Sequence, residues 1–520
     1  MQTSTLTIMR HTKRMMSTKV KQINLSLDRL SSHKGRFTKL NTQLFINNEY
    51  VDSSTNTKIK VFNPSTEEEI CEISQAVEAD IDKAIDSGKN GFHTWSSLPL
   101  DKRAKCFFNL ADLLHKEREE YAYVESLDNG KTFKDSLEDI DEVVRYIRYY
   151  GGWSDKLTGS TYTPFDDWTM QTRRVPYGVV GLISPWNYPL MMCAWKLFPA
   201  LAAGNSVVLK PSEETSLTIL KLGNLIQQSE FPAGMINITP GFGHVAGNHL
   251  IHHREINKVS FTGSGVTGRK ILKASADSNL KAIHLELGGK SPIIVCNDAD
   301  LENAVFWVVD AAFRNSTQNC CAGTKIYVQE EIYEKFISKL IESTRNIKVG
   351  DAFNEENFIG PVVSKKQFDR IMGYIEHGKN VEKLELGCGG RRLYNKGYFV
   401  EPTIFLNVPE ESKLAKEEIF GPVLCIMKPF KSVHDAIKTA NNSDYGLGAG
   451  IFSSNSATQE LFVRKIESGS VWVNNYNVNP YFVPFGGMKQ SGFGRDNGYE
   501  AVLEYTTTKA VYYKHDFSKI

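Results

Sequence analysis

The sequence predicts an α/β protein: a doubly wound parallel sheet followed by a second α/β unit. Two observations carry this expectation. Between residues 179 and 287, short apolar runs alternate with amphipathic stretches, the pattern of a parallel sheet covered on both faces. After Gly289 the alternation starts again and continues to Trp472. No repeat, low-complexity block or Pro/Ser-rich linker interrupts the 520 residues, so the units are expected to pack closely.

Taken in order, the folded body is expected to open with a strand at 44–46, a turn at 47–49 and a strand at 58–62. Helices follow at 79–95, 100–120 and 137–150, where apolar residues recur every three and four positions. The regular series then runs strand 179–183, helix 190–203, strand 206–209, helix 217–228, strand 235–239, helix 244–253, strand 258–261, helix 266–276 and strand 282–287. The second unit begins with strand 292–295, helix 301–313, strand 325–329 and helix 332–346. Residues 505–513 read as an extended arm.

Composition narrows the function. Net charge is +1, and no sustained basic stripe lies outside the N-terminus, so a nucleic-acid partner is not expected. The eight cysteines show no CxxC spacing, which points to reduced thiols and away from a disulfide framework or metal site. Residues 175–195 carry no charge over 21 positions, but Pro176, Pro185, Asn187 and Pro189 favour a buried strand, turn and helix over a membrane span. Residues 1–40 hold nine Lys/Arg and one acid, and resemble a mitochondrial transit peptide; a disordered basic tail is the alternative. The terminal Ser518-Lys519-Ile520 resembles a peroxisomal tripeptide. A mitochondrial address is expected, with cytoplasmic and peroxisomal ones as alternatives.

Three stretches carry chemistry. Asn315-Ser316-Thr317-Gln318-Asn319-Cys320-Cys321 lies between a helix and a strand, where a thiol can be either core filler or a nucleophile. Gly263-Ser264-Gly265-Val266-Thr267-Gly268 follows a strand and opens a helix, the context in which a glycine turn cradles a phosphate. Glu286 lies 18 residues beyond Gly268, which suits a ribose-binding acid. It also ends a strand before Gly288 and Gly289, from where it could serve the cysteine loop as general base.

These stretches fall into an order that resembles the NAD(P)-dependent aldehyde dehydrogenase superfamily over about residues 43–513. The motifs are Ser184-Pro185-Trp186-Asn187-Tyr188-Pro189, Lys210-Pro211-Ser212-Glu213, the Gly263–Gly268 turn, Leu285-Glu286-Leu287-Gly288-Gly289-Lys290, the cysteine loop, Glu417-Glu418-Ile419-Phe420-Gly421-Pro422-Val423, and Pro484-Phe485-Gly486-Gly487 with Ser491-Gly492-Phe493-Gly494-Arg495. The resemblance implies that Cys320 is the nucleophile, Glu286 the hydrolytic base and Asn187 an oxyanion donor. It implies cofactor contacts from Trp186, Lys210, Glu213, Gly263, Ser264, Gly268, Glu418 and Phe420. A carboxylate at Glu213 favours NAD over NADP, because it would repel a 2′-phosphate. Thr317 departs from the family, which usually has glycine there.

The resemblance also implies an arrangement of units: an N-terminal extension at 1–40, an NAD-binding domain at 41–159 and 177–286, an oligomerisation arm at 160–176 and 500–513, and a catalytic domain at 287–499. A homodimer or homotetramer follows from it, acting on a small-molecule aldehyde. The stretch from Asn475 to Lys489 is similar to the betaine-aldehyde and aminoaldehyde branch, with Trp186, Tyr188, Trp195, Tyr476, Tyr481 and Phe482 as candidates to line the substrate tunnel. Against a cationic substrate stands Arg314, if it points into the tunnel. A general aliphatic aldehyde dehydrogenase, a thiol esterase on the same fold and a non-catalytic relative are the alternatives.

Overall fold

The structure, a computed structural model, describes residues 21–519. The fold rests on two large sheets and a three-stranded ribbon. In the first large sheet the central strands are, in spatial order, Ala282–Glu286, Lys258–Thr262, Val179–Ile183, Ser206–Lys210 and Ile236–Ile238. All run parallel. Val179–Ile183, Ser206–Lys210 and Lys258–Thr262 are buried at every position, as strands covered on both faces are, and the last buries Lys258, Ser260 and Thr262 along with Val259 and Phe261. The chain winds outward from Val179–Ile183 in one direction, then returns to its other side at Lys258–Thr262. That reversal leaves a crevice beyond the carboxyl ends of the strands, the usual ligand position in such sheets.

The edges of this sheet are antiparallel. Leu44–Ile46 and Glu49–Val51 form a hairpin on one side, turning through Asn47 and Asn48, both at positive φ. On the other side Gly492–Phe493 pairs with Leu285 and Glu286. This short strand belongs to the stretch expected in the catalytic unit, yet it hydrogen-bonds to the first sheet.

The second large sheet has the order Glu385–Cys388, Thr403–Val408, Val423–Met427, Gly323–Val328, Ser291–Val295, Gly448–Phe452 and Ser470–Val473. Only Glu385–Cys388 is antiparallel. The ribbon joins Thr161–Tyr162, Trp168–Pro176 and Thr506–Lys514. The helix Pro189–Ala202 packs on Val179–Ile183 and Ser206–Lys210 of the first sheet and is buried at nearly every residue. It presents Met191, Met192 and Trp195 to one cavity and Lys196 to a polar cluster. Among the described residues no helix is long and apolar enough to cross a membrane.

Several expectations need correction. The N-terminal extension does not reach residue 40. Gln22–Ser26 pairs with Phe37–Asn41, and Leu27 and Leu30 are buried against Tyr123, Leu127, Phe133 and Phe353. Arg29 pairs with Asp351 and lies over the Phe353 ring. Basic residues dominate the composition of this segment, so its few apolar anchors were underweighted. Residues 1–20 and Ile520, the remainder of the stretches expected to carry targeting signals, lie outside the described residues. The expected helix at 100–120 is two helices, Leu100–Lys116 and Arg118–Asn129, parted at Glu117 where ψ is 15°. Apolar periodicity continues through Tyr121 and Val124, which hid the break. The strand Glu68–Ser74, missed because acids interrupt it, pairs with Lys58–Asn63. The expected helix at 244–253 opens with the π-helical turn Gly243–Gly247 before Asn248–His252. In the expected arm at 500–513, residues up to 504 are helical (Gly498–Glu504) and only Thr506–Lys514 is ribbon.

Candidate active site

The helix Leu301–Phe313 delivers the chain to the cysteine loop, and Gly323–Val328 takes it away. The intervening segment is polar in composition, yet Asn315, Ser316, Thr317 and Gln318 are all buried. Its polarity is spent internally. Ser316 Oγ donates to Gly360 O at 2.7 Å, and Gln318 Oε1 accepts from Val363 N at 2.9 Å. Tyr476 Oη donates to Cys321 O at 2.9 Å. Asn315, Ser316 and Thr317 have φ of 53°, 53° and 61°, a left-handed turn made without glycine. Thr317 tolerates it while its hydroxyl donates to Ala312 O. The turn leaves Cys320 half-buried while Cys321 and the other six cysteines are buried.

Cys320 stands where two cavities meet. It and Asn187 line both. Asn187 Nδ2 donates one hydrogen to Gln318 O at 2.9 Å, and the Asn187 backbone carbonyl accepts from Asn315 Nδ2 at 2.9 Å. An amide has two N–H groups, so the second remains for whatever enters beside the thiol. The neighbouring Cys321 thiol, followed by burial, pushes the Cys320 thiol well above the usual cysteine range.

The first cavity, of about 430 Å³, opens beyond the carboxyl ends of the first sheet. Trp186, Glu213, Gly263, Ser264, Glu418 and Phe420 line it, as expected from the sequence. Trp186 packs edge-on to Phe420 at 5.2 Å. Phe420 has φ of 62°, an uncommon conformation for an aromatic residue, which turns its ring toward the crevice. Glu418 Oε1 accepts from Gly289 N at 2.9 Å, and burial raises its carboxyl to about 7. Two expected contacts are placed differently. Lys210 spends its three donors on Pro211 O, Gly241 O and Glu213 Oε2, so it reaches the cavity through Glu213. Gly268 lies under Leu287, where an added Cβ would meet that side chain at 2.9 Å; its work is helix–strand packing.

The second cavity, of about 540 Å³, runs from Cys320 outward between Tyr146, Tyr188, Met191, Met192, Trp195 and Phe485. Of the aromatic candidates, Tyr188 and Trp195 are in this wall. Trp186 faces the other cavity, Tyr476 is a fully buried prop behind the loop, Tyr481 packs on Tyr146 and Tyr149, and Phe482 is exposed. The sequence offered many aromatics but no face, and the wall residues Tyr146, Met191 and Met192 sit on helices whose buried residues are mostly apolar. One face of Tyr188 is occupied by Lys131 Nζ, 3.8 Å from the ring centre. Arg314 does line the cavity, but it is no free cation. Asp310 lies 2.9 Å from its Nε, while Asp135 and Glu138 lie 3.1 and 3.0 Å from Nη1. Glu138, Asp139, Asp141 and Glu142 against Arg145 and Arg314 leave the mouth acidic.

Glu286 ends its strand buried, with neither carboxylate oxygen hydrogen-bonded. Burial, reinforced by Asp496, raises its carboxyl well above the ordinary glutamate range. Its negative charge also acts on the Cys320 thiol. The ribose reading is overturned: the carboxyls lining the first cavity are those of Glu213, Glu214 and Glu418.

A family model described as "Aldehyde dehydrogenase family" matches residues 50–511. An aldehyde dehydrogenase from Davidiella tassiana is 48% identical over 92% of this chain and 96% of that protein. Retinaldehyde dehydrogenase 3 from Homo sapiens is 44% identical, covering 90% of this chain and 92% of its own. Among solved structures, the NAD+ complex of an aldehyde dehydrogenase from Bacillus cereus superposes with a TM-score of 0.90 at 42% identity, over 91% of this chain and 97% of that one. A betaine aldehyde dehydrogenase from Staphylococcus aureus bound to NAD+ superposes with a TM-score of 0.89 at 36% identity, over 91% and 95%.

Proposed function

Because this chain belongs to the aldehyde dehydrogenase family, we propose that it oxidises aldehydes to carboxylic acids with NAD, through Cys320. The observation that carries the reading is that Cys320 and Asn187 alone line both cavities. One cavity suits a dinucleotide and the other an aldehyde, and the thiol is the point between them.

The first cavity fits NAD by its chemistry. Glu213 and Glu418 offer carboxylates to ribose hydroxyls, and the buried Thr262 hydroxyl has no partner. The helix Gly265–Asp277 begins at the cavity, with Ser264 as its cap, so the backbone N–H groups of its first turn would hold a pyrophosphate. Bound NAD supplies the hydride acceptor. Cys320 attacks the carbonyl carbon as thiolate, and the resulting oxyanion meets the Asn187 amide and the Cys320 backbone N–H. Loss of hydride leaves a thioester on Cys320. Glu286 then takes a proton from water, which attacks the thioester; the C–S bond breaks and the carboxyl returns that proton to the leaving thiolate, so acid and free thiol are released.

For the substrate, the wall of Tyr146, Met191, Met192, Trp195 and Phe485 supports an apolar aliphatic or aromatic aldehyde. Lys131 covers one face of the Tyr188 ring, so that ring offers a trimethylammonium group one face at most. A second reading rests on the acidic mouth: an amino group on a longer chain would end beside Glu138 and Glu142. Comparing kcat/KM for hexanal, aminobutyraldehyde and betaine aldehyde tests both. The apolar reading expects hexanal to lead and betaine aldehyde to trail; betaine aldehyde in the lead would overturn it.

The exposed Tyr162, Phe165 and Tyr512 on the ribbon support a homodimer or homotetramer built on that face. A targeting segment, if present, ends before Gln22; the N-terminal mass of the protein isolated from mitochondria tests that address.

A further inference from the structure

His284 and Glu286 are two apart on one strand, so their side chains share a face. Both are buried, and His284 Nε2 lies 3.7 Å from Glu286 Oε1. Neither atom has a hydrogen-bond partner. Four polar atoms are orphaned in this one place: His284 Nε2, both Glu286 oxygens and Asp496 Oδ1. Orphaned buried groups are costly, and so much unspent capacity around one carboxylate calls for a reason. Behind the imidazole, Nδ1 lies 3.3 Å from Ser260 Oγ and 3.9 Å from Asp496 Oδ1. Asp496 is tied in turn to Lys196 Nζ at 2.9 Å.

The packing admits little else. A Cβ at Gly494 would stand 2.5 Å from His284 Cδ2, and one at Gly486 would stand 2.6 Å from Glu286 Oε1. The two glycines therefore form a roof shaped to an imidazole beside a carboxylate. The charges around the ring are Glu286 on its own strand, Lys258 on the adjacent strand, Lys196 on the central helix, and Arg495 and Asp496 on the returning loop. Burial, with the three cations, holds the imidazole neutral. A neutral imidazole can serve Glu286 in either protonation state: it donates from Nε2–H to the carboxylate, or accepts at Nε2 from the acid. The Ser260 hydroxyl can give or take a hydrogen bond, and so accommodates Nδ1 in each tautomer.

We infer that His284 is the positioning residue of the hydrolytic base, closing on Glu286 by a small side-chain rotation and aiming it at the thioester on Cys320. This rests on Glu286 being the base. His284 touches neither aldehyde nor cofactor cavity, so it acts on thioester hydrolysis and leaves thioester formation alone.

The test compares His284→Leu, His284→Gln, Ser260→Ala and Glu286→Gln in the full chain. Readouts are cofactor-free hydrolysis of p-nitrophenyl acetate across pH, and acyl-Cys320 followed by mass spectrometry. His284→Leu is expected to slow deacylation about tenfold, the effect of one lost hydrogen bond to a charged group, with KM unchanged. Acyl-Cys320 accumulates and the acid limb of the profile moves to higher pH, because the lost bond favours the carboxylate most. His284→Gln, whose amide can also give or take, restores most of the rate. Ser260→Ala gives a smaller loss of the same kind, and stands in if His284→Leu does not fold. An unmoved profile in His284→Leu and Ser260→Ala overturns the inference, as does a glutamine no better than leucine. Glu286→Gln separates the premises. If it deacylates normally, the base assignment fails; if it stalls while His284→Leu does not, only the role of His284 fails.

Discussion

Deleting residues 1–40 removes the strand Gln22–Ser26, nearly all of its partner Phe37–Asn41, and the segment between them. The loss can be estimated from two side chains. Leu27 is fully buried and Leu30 is 8% exposed, both against Tyr123, Phe133 and Phe353. Burying one leucine contributes about 1.5–3 kcal/mol, so the pair contributes about 3–6 kcal/mol, an upper bound because unfolded chains bury some apolar area. The exposed Arg29–Asp351 pair adds at most about 1 kcal/mol. Phe133 N also donates to Ala352 O at 2.8 Å, so the same patch joins the helix Phe133–Gly151 to the loop near residue 352. That helix carries Tyr146 of the tunnel wall. Differential scanning fluorimetry should show a clear fall in Tm for the 1–40 deletion, and about 2–3 kcal/mol of destabilisation for Leu27→Ala. Deletion of residues 1–20 touches none of these contacts and is expected to leave Tm unchanged. Equal Tm values for the two deletions would refute the reasoning.

Further outcomes follow from the site. Thr317→Val removes the donor to Ala312 O and keeps the strained φ of 61°, so it costs about 1–2 kcal/mol; Thr317→Gly loses the same bond but relieves the strain, and denaturant titration should place it closer to wild type. Glu213→Ser removes a carboxylate from the first cavity, the one proposed to meet ribose hydroxyls and repel a 2′-phosphate, and should lower the kcat/KM preference for NAD over NADP by about tenfold or more. Activity as base needs Glu286 ionised, and its carboxyl is raised by burial; turnover is therefore expected to fall with decreasing pH well before ordinary glutamates protonate. For stability the same sign runs the other way. A carboxyl raised in the fold, such as Glu125 at about 7, stabilises below the ordinary glutamate range and loses that contribution as pH rises through neutrality. The Tm of Glu125→Gln should show a flatter dependence over that window.

The parallel strands of the first sheet were legible because each is short, centred on apolar residues and set between helical stretches: 179–183 is apolar throughout, 206–209 after its Ser, and 258–261 at Val259 and Phe261. The cofactor-side residues came from the family resemblance; Trp186, Glu213, Gly263 and Ser264 follow carboxyl ends of those strands, whereas Glu418 and Phe420 precede a strand of the second sheet, which the first sheet's pattern alone does not place. Boundaries failed where two signals overlapped, as at Glu117, where one helical period spans two helices. The cysteine was found through its loop, but not the burial of that loop, since Asn, Ser, Thr and Gln look alike whether they face water or satisfy backbone. Tunnel residues were hardest. Tyr146 and Met191 differ from core residues only in facing a void, which depends on packing between distant segments. His284 was within reach, because a strand places it on the same face as Glu286.

The most direct test of Cys320 as the point between two cavities is a single-turnover experiment on Glu286→Gln with NAD and hexanal. The account predicts a burst of about one NADH per active site, then a stall with an acyl group on Cys320 detectable by mass spectrometry, and no burst in Cys320→Ala. A burst that survives in Cys320→Ala, or an acyl group found on another residue, would contradict it.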